Sequence, residues 1–157
     1  MIGAMMKPTP PGWPRISSAV YYDDPLAAID WLCKAFGFGI QQKIIEGGKL
    51  AHSELKYAEG LIMVGDAKKE SRGEPSYRSS PRSVGGANTQ NMMLYVDDVE
   101  AHYQQARAAG ATMITEPATT DYGPDYWSDR GYEAEDLEGH HWWFIQRMRN
   151  PPSKSSA

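Results

Sequence analysis

Cysteine is almost absent from this sequence. Cys33 is the only one among 157 residues, so no disulfide can form within the chain, and a reducing, cytoplasmic setting is expected. Positive charge is also in short supply: 16 Lys and Arg against 20 Asp and Glu leave a net charge of -4 and a pI near 5.5. Nucleic acid and anionic membrane both need a concentrated basic face, so neither is an expected partner. The one basic cluster, Arg72, Arg78 and Arg82, is too thin to change that. No long apolar run follows a basic start, and "MIGAMMKPTPPGWPR" reads as a proline-rich arm rather than a signal peptide or membrane span. Phosphate-binding loops, dinucleotide fingerprints and nucleophile elbows are missing as well.

What is present is apolar material. Hydrophobic residues make up 41% of the chain and five residues are tryptophan, enough for one domain core without covalent staples. The segment "ISSAVYYDDPLAAIDWLCKAFGFG" opens with a β-branched and aromatic run, then offers Asp24 as a helix N-cap and Pro25 at the first helical position. Leu26, Ile29, Leu32, Cys33 and Phe36 recur at helical spacing, and Gly37 supplies the stop. On that apolar side, Cys33 reads as an inert thiol rather than a nucleophile.

Much later, "QNMMLYVDDVEAHYQQARAAGA" repeats the signals: apolar strand, paired aspartates, helix, glycine. Asp24 registers on Asp98. Behind the first helix, "IQQKIIEGGKLAHSELKYAEGLIMVGD" carries a hairpin signal at Gly47-Gly48 and a turn at Glu59-Gly60. Behind the second, "TMITEPATTDYG" and "YEAEDLEGHHWWFIQR" turn at Glu138-Gly139. Each half reads strand, helix, then about three strands. This predicts an α+β fold in one domain, built from two tandem βαβββ modules over about residues 15–66 and 90–149. Between them, residues 67–89 are rich in Ser, Gly, Pro and Arg and form either a linker or a lid. The tail "NPPSKSSA" is expected to be disordered.

These features resemble the vicinal oxygen chelate superfamily, which includes glyoxalase I, extradiol dioxygenases, fosfomycin-resistance enzymes and bleomycin-resistance proteins. The resemblance rests on "YVDDVEAHYQQARAAGA", "YWSDRGYEAEDLEGHHWWF" and "AHSELKYAEGLIMVGD". Together they look like the glyoxalase/bleomycin-resistance branch, close to its PhnB-like members. The resemblance implies that the paired modules form a curved mixed sheet around a concave pocket, that the protein forms a homodimer, and that in metal-dependent members four side chains hold one divalent ion. By motif, the matching positions here are Ser17 and Asn91 on the first strand of each module, and Val64 and Trp143 on the last. Iron, nickel or zinc wants imidazole, carboxylate or thiolate donors. This set offers two weak neutral oxygens, so no metal cofactor is expected.

Strand alternation places His52, Glu54 and Lys56 on one face and Ser53, Leu55 and Tyr57 on the other, which should meet the helix. A histidine is common on this strand in PhnB-like relatives, so the resemblance makes His52 a pocket candidate. His52 and Glu54 are the weak candidates for proton transfer; the plainer alternative is a solvent-facing histidine. His140 and His141 are adjacent, point to opposite faces and cannot share one ion. His140 is expected to satisfy turn groups, and His102 to be solvated or partly packed on its helix. His141 shares a face with Trp143 and Ile145, while Trp142, Phe144 and Gln146 take the other.

In the former ligand position, Trp143 either walls a pocket or plugs the void. The stretch "DYGPDYWSDRGY" makes Trp127, Arg130 and Tyr132 candidate ligand contacts by resemblance, against the alternative of a dimer contact. Met93 and Tyr95 share the face of Asn91 and join the candidates. The first functional reading is a metal-independent protein sequestering an aromatic or amphipathic small molecule. A glyoxalase-like lyase of the lactoylglutathione lyase class, or a dioxygenase, with an atypical site is the second. An interaction protein with a filled cavity is the third.

Overall fold

A computed structural model describes residues 6–69 and 75–153; Arg72, the first residues of the proline-rich arm and the end of the tail lie outside them. The first module runs β1 (Ser18–Tyr22), α1 (Pro25–Phe36), β2 (Gly39–Glu46), β3 (Lys49–Tyr57) and β4 (Gly60–Asp66). Asp24 caps α1 by accepting the Ala27 N–H at 3.1 Å, and Gly37, at φ 81, ends it by donating to the Cys33 carbonyl. Gly47 and Gly48, at φ 56 and 75, make the two-residue turn between β2 and β3, where both residues need positive φ. The next turn sits on Ala58 and Glu59, and Gly60 already opens β4. The strands lie in the order β1-β4-β3-β2, with β1 parallel to β4 and the other pairs antiparallel.

The second module follows the same plan: β5 (Met92–Tyr95), α2 (Val99–Ala108), β6 (Thr112–Met113), β7 (Ala118–Asp121), β8 (Ser128–Glu135) and β9 (His141–Arg149). β5 is parallel to β9, in the sheet order β5-β9-β8-β6. The strand expected after the helix is broken in two, and both β6 and β7 pair with β8. Pro117, which has no N–H for a ladder, sits in the break. The tandem βαβββ-like modules therefore form mixed sheets that do not close into a barrel.

Each sheet gives one face to the helices. Val20, Tyr22, Leu55, Ile62 and Val64 from the first sheet and Tyr132, Ala134, Trp142 and Phe144 from the second enclose α1 and α2 in one core. The Phe36 ring of α1 lies 4.7 Å from Phe144 and 5.3 Å from Trp142, so the helix of one module packs on the last strand of the other. His102 belongs to this core, packed more completely than the solvated or partly packed role its helix suggested. Its Nε2–H donates to the Phe36 carbonyl at 2.9 Å and its Nδ1 accepts from the Tyr132 hydroxyl at 2.7 Å. Burial among these aromatics depresses its pKa below the ordinary histidine value.

The stretch "DLEGHHWWF" joins the modules through two buried carboxylates. Asp136 accepts the Tyr22 hydroxyl at 2.6 Å, the Trp142 indole N–H at 3.0 Å, and the N–H groups of Glu138 and His140, both at 3.0 Å. Glu138 accepts the N–H groups of Asp23 and Asp24 at 2.7 and 2.9 Å, the Ser80 hydroxyl at 2.5 Å and the Arg82 guanidinium at 2.8 Å. Donors crowded on the oxygens offset the cost of removing these charges from water. The turn groups given to His140 by the sequence are thus served by Asp136, and the His140 ring donates across the module boundary to the Tyr21 carbonyl at 2.7 Å. The same clasp pins the second half of the connector, where Pro81–Val84 form a 3-10 turn.

Candidate functional site

The alternation of β9 decides what remains outside the core. Trp142 and Phe144 face the helices, and His141, Trp143, Ile145 and Arg147 face away from them. Trp142 is 0% exposed, whereas its neighbour Trp143 is 39% exposed. Parallel pairing sets Met93 beside Trp143 and Tyr95 beside Ile145, so with His141 four of the expected residues share this outer face. Met93 and Tyr95 are about half exposed there, and Asn91 lies exposed just before β5. A hollow of about 340 Å³ opens on the face, lined by Trp143, Ile145, Gly131, Asp129, Glu133 and Tyr122.

One residue of this face escaped the sequence. Arg147 donates from Nε to Asp129 at 2.6 Å and from Nη2 to the Tyr95 hydroxyl at 2.8 Å. Its guanidinium lies 5.5 Å from the ring centres of both Tyr95 and Trp127. Arg147 thereby ties Trp127, whose ring is also 5.2 Å from Tyr122, to the face of Trp143. Its position two residues beyond Ile145 on the same strand was the signal available. His141 completes the row at its other end, its Nε2 2.8 Å from Glu135 Oε1.

Two expected residues turn to the opposite side of β8. Ser128 already begins β8, so Arg130, Tyr132 and Ala134 form that strand's helix-facing side. Arg130 binds Glu100 of α2 at 2.6 Å, and Tyr132, 2% exposed, is held by His102 in the core. Burial pushes the Tyr132 hydroxyl far above the usual tyrosine range, so it stays protonated as a donor. Tyr132 still counts among the residues that border the hollow beside Trp143, whereas Arg130 does not.

His52 lies on the outer face of the first sheet with Glu54, their Nε2 and Oε1 atoms 2.9 Å apart. Glu54, 7% exposed, also accepts from Gln41 at 2.8 Å, and the bonds from His52 and Gln41 hold its carboxyl below the usual range. Around His52, Tyr21, Met63 and Arg78 help line a smaller hollow of about 170 Å³.

The model of the Glyoxalase/Bleomycin resistance protein/Dioxygenase superfamily matches residues 15–144. The chain belongs to this superfamily. It is 35% identical over 138 residues to the uncharacterized protein Mb0911c of Mycobacterium bovis, covering 87% of this chain and 85% of that one. The uncharacterized protein Rv0887c of Mycobacterium tuberculosis is equally similar, with 76% of its length covered. Among solved structures, TioX from Micromonospora sp. ML1 is 30% identical with a TM-score of 0.63, over 85% of this chain and 95% of that one. A glyoxalase/bleomycin resistance protein/dioxygenase from Nocardioides, at 16% identity and a TM-score of 0.61 over 90% of this chain and 89% of that one, shares the fold.

The superfamily's metal-dependent members make the four ligand positions the test of an ion here. Val64 is not one of them, because it pairs with Val20 and both face the core at 2% exposure. With Asp24 set on Asp98, the row Ala19–Met63 of the first sheet corresponds to Met93–Trp143 of the second. Counting from the turn glycines slips by one, since Gly60 opens β4 directly whereas His140 intervenes between Gly139 and β9. The set is therefore Ser17, Met63, Asn91 and Trp143. Ser17 already donates to the Leu61 carbonyl at 2.7 Å, and an indole has no lone pair to give. These residues do not fit a divalent ion, and among the described residues no three His, Cys, Asp or Glu side chains gather as an alternative. No helix among the described residues is long and apolar enough to cross a membrane.

Proposed function

We propose that this superfamily member is a metal-independent small-molecule-binding protein that sequesters an aromatic or amphipathic ligand against the outer face of its second sheet. The observation that carries the proposal is the contrast between neighbours on β9: Trp142 is sealed in the core, and Trp143 stands in the open beside a hollow of about 340 Å³. Covering the part of such a side chain still in water is favourable by about 25 cal/mol for each Å² of apolar area, which a stacked ligand supplies. Tyr95, Met93 and Trp127 extend the wall, with Arg147 as the charged group among them. Asn91 and His141 are the polar candidates of that surface, whereas His52 stands apart from it on the outer face of the first sheet. Arg130 and Tyr132 act from behind, fixing β8 through Glu100 and His102.

Placement in the PhnB-like branch, a cytoplasmic location and a homodimer are parts of the same proposal. His52 on β3 supports the first and the single cysteine the second. Exposed Ile40, Ile44 and Ile45 on the edge strand β2 support the third. Intrinsic-fluorescence titration with planar aromatic and amphipathic compounds tests the site. Trp143→Ala and Trp127→Ala are expected to weaken any quenching compound by tenfold or more, roughly the worth of one lost stacking partner. Unchanged affinity in both variants overturns it.

A glyoxalase-like lyase or dioxygenase is favoured by one observation, the chain Gln41–Glu54–His52, which orients an imidazole as a base would need. Near-stoichiometric retention of nickel, zinc, manganese or iron(II) after desalting, with turnover lost in His52→Ala, would establish that reading instead.

A further inference from the structure

We propose that Arg78 and Tyr21 form a recognition site for a small oxyanion, a carboxylate or phosphate group, on the first module and separate from the face of Trp143. Arg78 comes from the connector, and its guanidinium lies 4.8 Å from the ring centre of Tyr21 and 5.3 Å from that of Tyr77. The Tyr21 ring lies close over Gly65, where an added Cβ would fall 2.8 Å from Cδ1, so the glycine lets the ring lie against the sheet. Stacking on the rings holds the guanidinium plane without an ion pair.

Arg78 Nε is buried and, among the described residues, donates to no acceptor. Two hollows share Arg78 as a wall. The smaller, about 170 Å³, also includes Tyr21, His52 and Lys69, with Asp66 as its one carboxylate among the described residues; Asp66 is engaged by the Lys68 N–H at 2.8 Å. The larger, about 510 Å³, is lined by Tyr77, Asn88, Gln90 and His140 among others and, among the described residues, by no Asp or Glu. In a chain of net charge -4, a hollow whose one permanent charge among the described residues is an arginine attracts anions. The free Nε–H and the adjacent Nη–H form the planar fork that matches two oxygens of a carboxylate or phosphate. A buried donor without a partner is the group such an oxygen satisfies.

The site is read directly from the arginine Nε–H resonances of the full chain in nitrogen–proton correlation spectra, and it does not depend on Trp143. The protein is titrated with inorganic phosphate and with acetate, against sodium chloride of matched ionic strength. The resonance lost in Arg78→Lys is expected to shift and saturate with phosphate or acetate and not with chloride. Saturation by phosphate alone assigns phosphoryl ligands, and saturation by acetate assigns carboxylates. Gly65→Ala, which displaces the Tyr21 ring while keeping Arg78, is expected to weaken that binding about tenfold. A resonance that stays still, or that moves equally in chloride, overturns the proposal.

Discussion

Tyr22 donates its hydroxyl hydrogen to Asp136 at 2.6 Å, across 114 positions of sequence and from one module to the other. Around this bond sit the Trp142 indole and two backbone N–H groups, all pointing at the same carboxylate. Asp136→Ala strands these buried donors, at about 1–3 kcal/mol for each group left without a partner. The variant is expected to lose about 3 kcal/mol or more in urea unfolding, and Tyr22→Phe about 1–3 kcal/mol. A loss below 1 kcal/mol in Asp136→Ala would show that the clasp does not hold the modules together.

His102 makes stability depend on pH. Burial lowers its folded-state pKa below the unfolded value of about 6.5, so the unfolded chain takes up the proton first. Its contribution is fully present above about pH 6.5 and is lost as the pH falls below that value toward the folded pKa. Thermal unfolding at about pH 7.5 and about pH 5.5 should show a drop in Tm that is smaller in His102→Gln. An equal drop in both proteins would assign the acid sensitivity to other groups.

Trp142 and Trp143 should separate stability from binding. Trp142→Ala opens a cavity in the core and is expected to cost about 3–5 kcal/mol. Trp143→Ala removes a side chain that is already 39% exposed, with an expected cost of about 1 kcal/mol or less. Chemical denaturation of the two variants gives the comparison, and similar losses would mean that Trp143 plugs the structure rather than lining a site.

Ala58 turns the chain between β3 and β4 at φ 48, the one non-glycine residue with positive φ among those described. Left-handed backbone costs an L-residue about 1–2 kcal/mol, part of which glycine returns as extra freedom of the unfolded chain. Ala58→Gly is therefore expected to raise stability by about 0.5–1 kcal/mol, read as a higher urea midpoint. A lower midpoint would contradict the strained turn.

Local signals were enough for the modules. Asp24 with Pro25, and Asp98 with its helical spacing, are short-range chemistry, and both helices begin where those residues place them. Alternation along β3 and β9 likewise sorted Leu55 from His52 and Trp142 from Trp143, because side-chain direction in a strand has a period of two. The spacing could not count across turns of unequal length, and a single intervening residue, His140, moved the ligand position on β4 from Val64 to Met63. Nor could it say what faces a strand or helix from the rest of the chain. Arg130 and Tyr132, candidate ligand contacts in the sequence, and His102, expected to be solvated or partly packed, are drawn into the core or onto α2 by partners distant in sequence: Glu100, Phe36 and one another. Asp136, Glu138 and Arg147 followed the same rule. Sequence by itself determined the elements and their faces, since these depend on neighbours a few residues away. The pairing of charges and donors was decided only by the tertiary structure, which brings together groups whose need for a partner is visible in the sequence but whose partner is not.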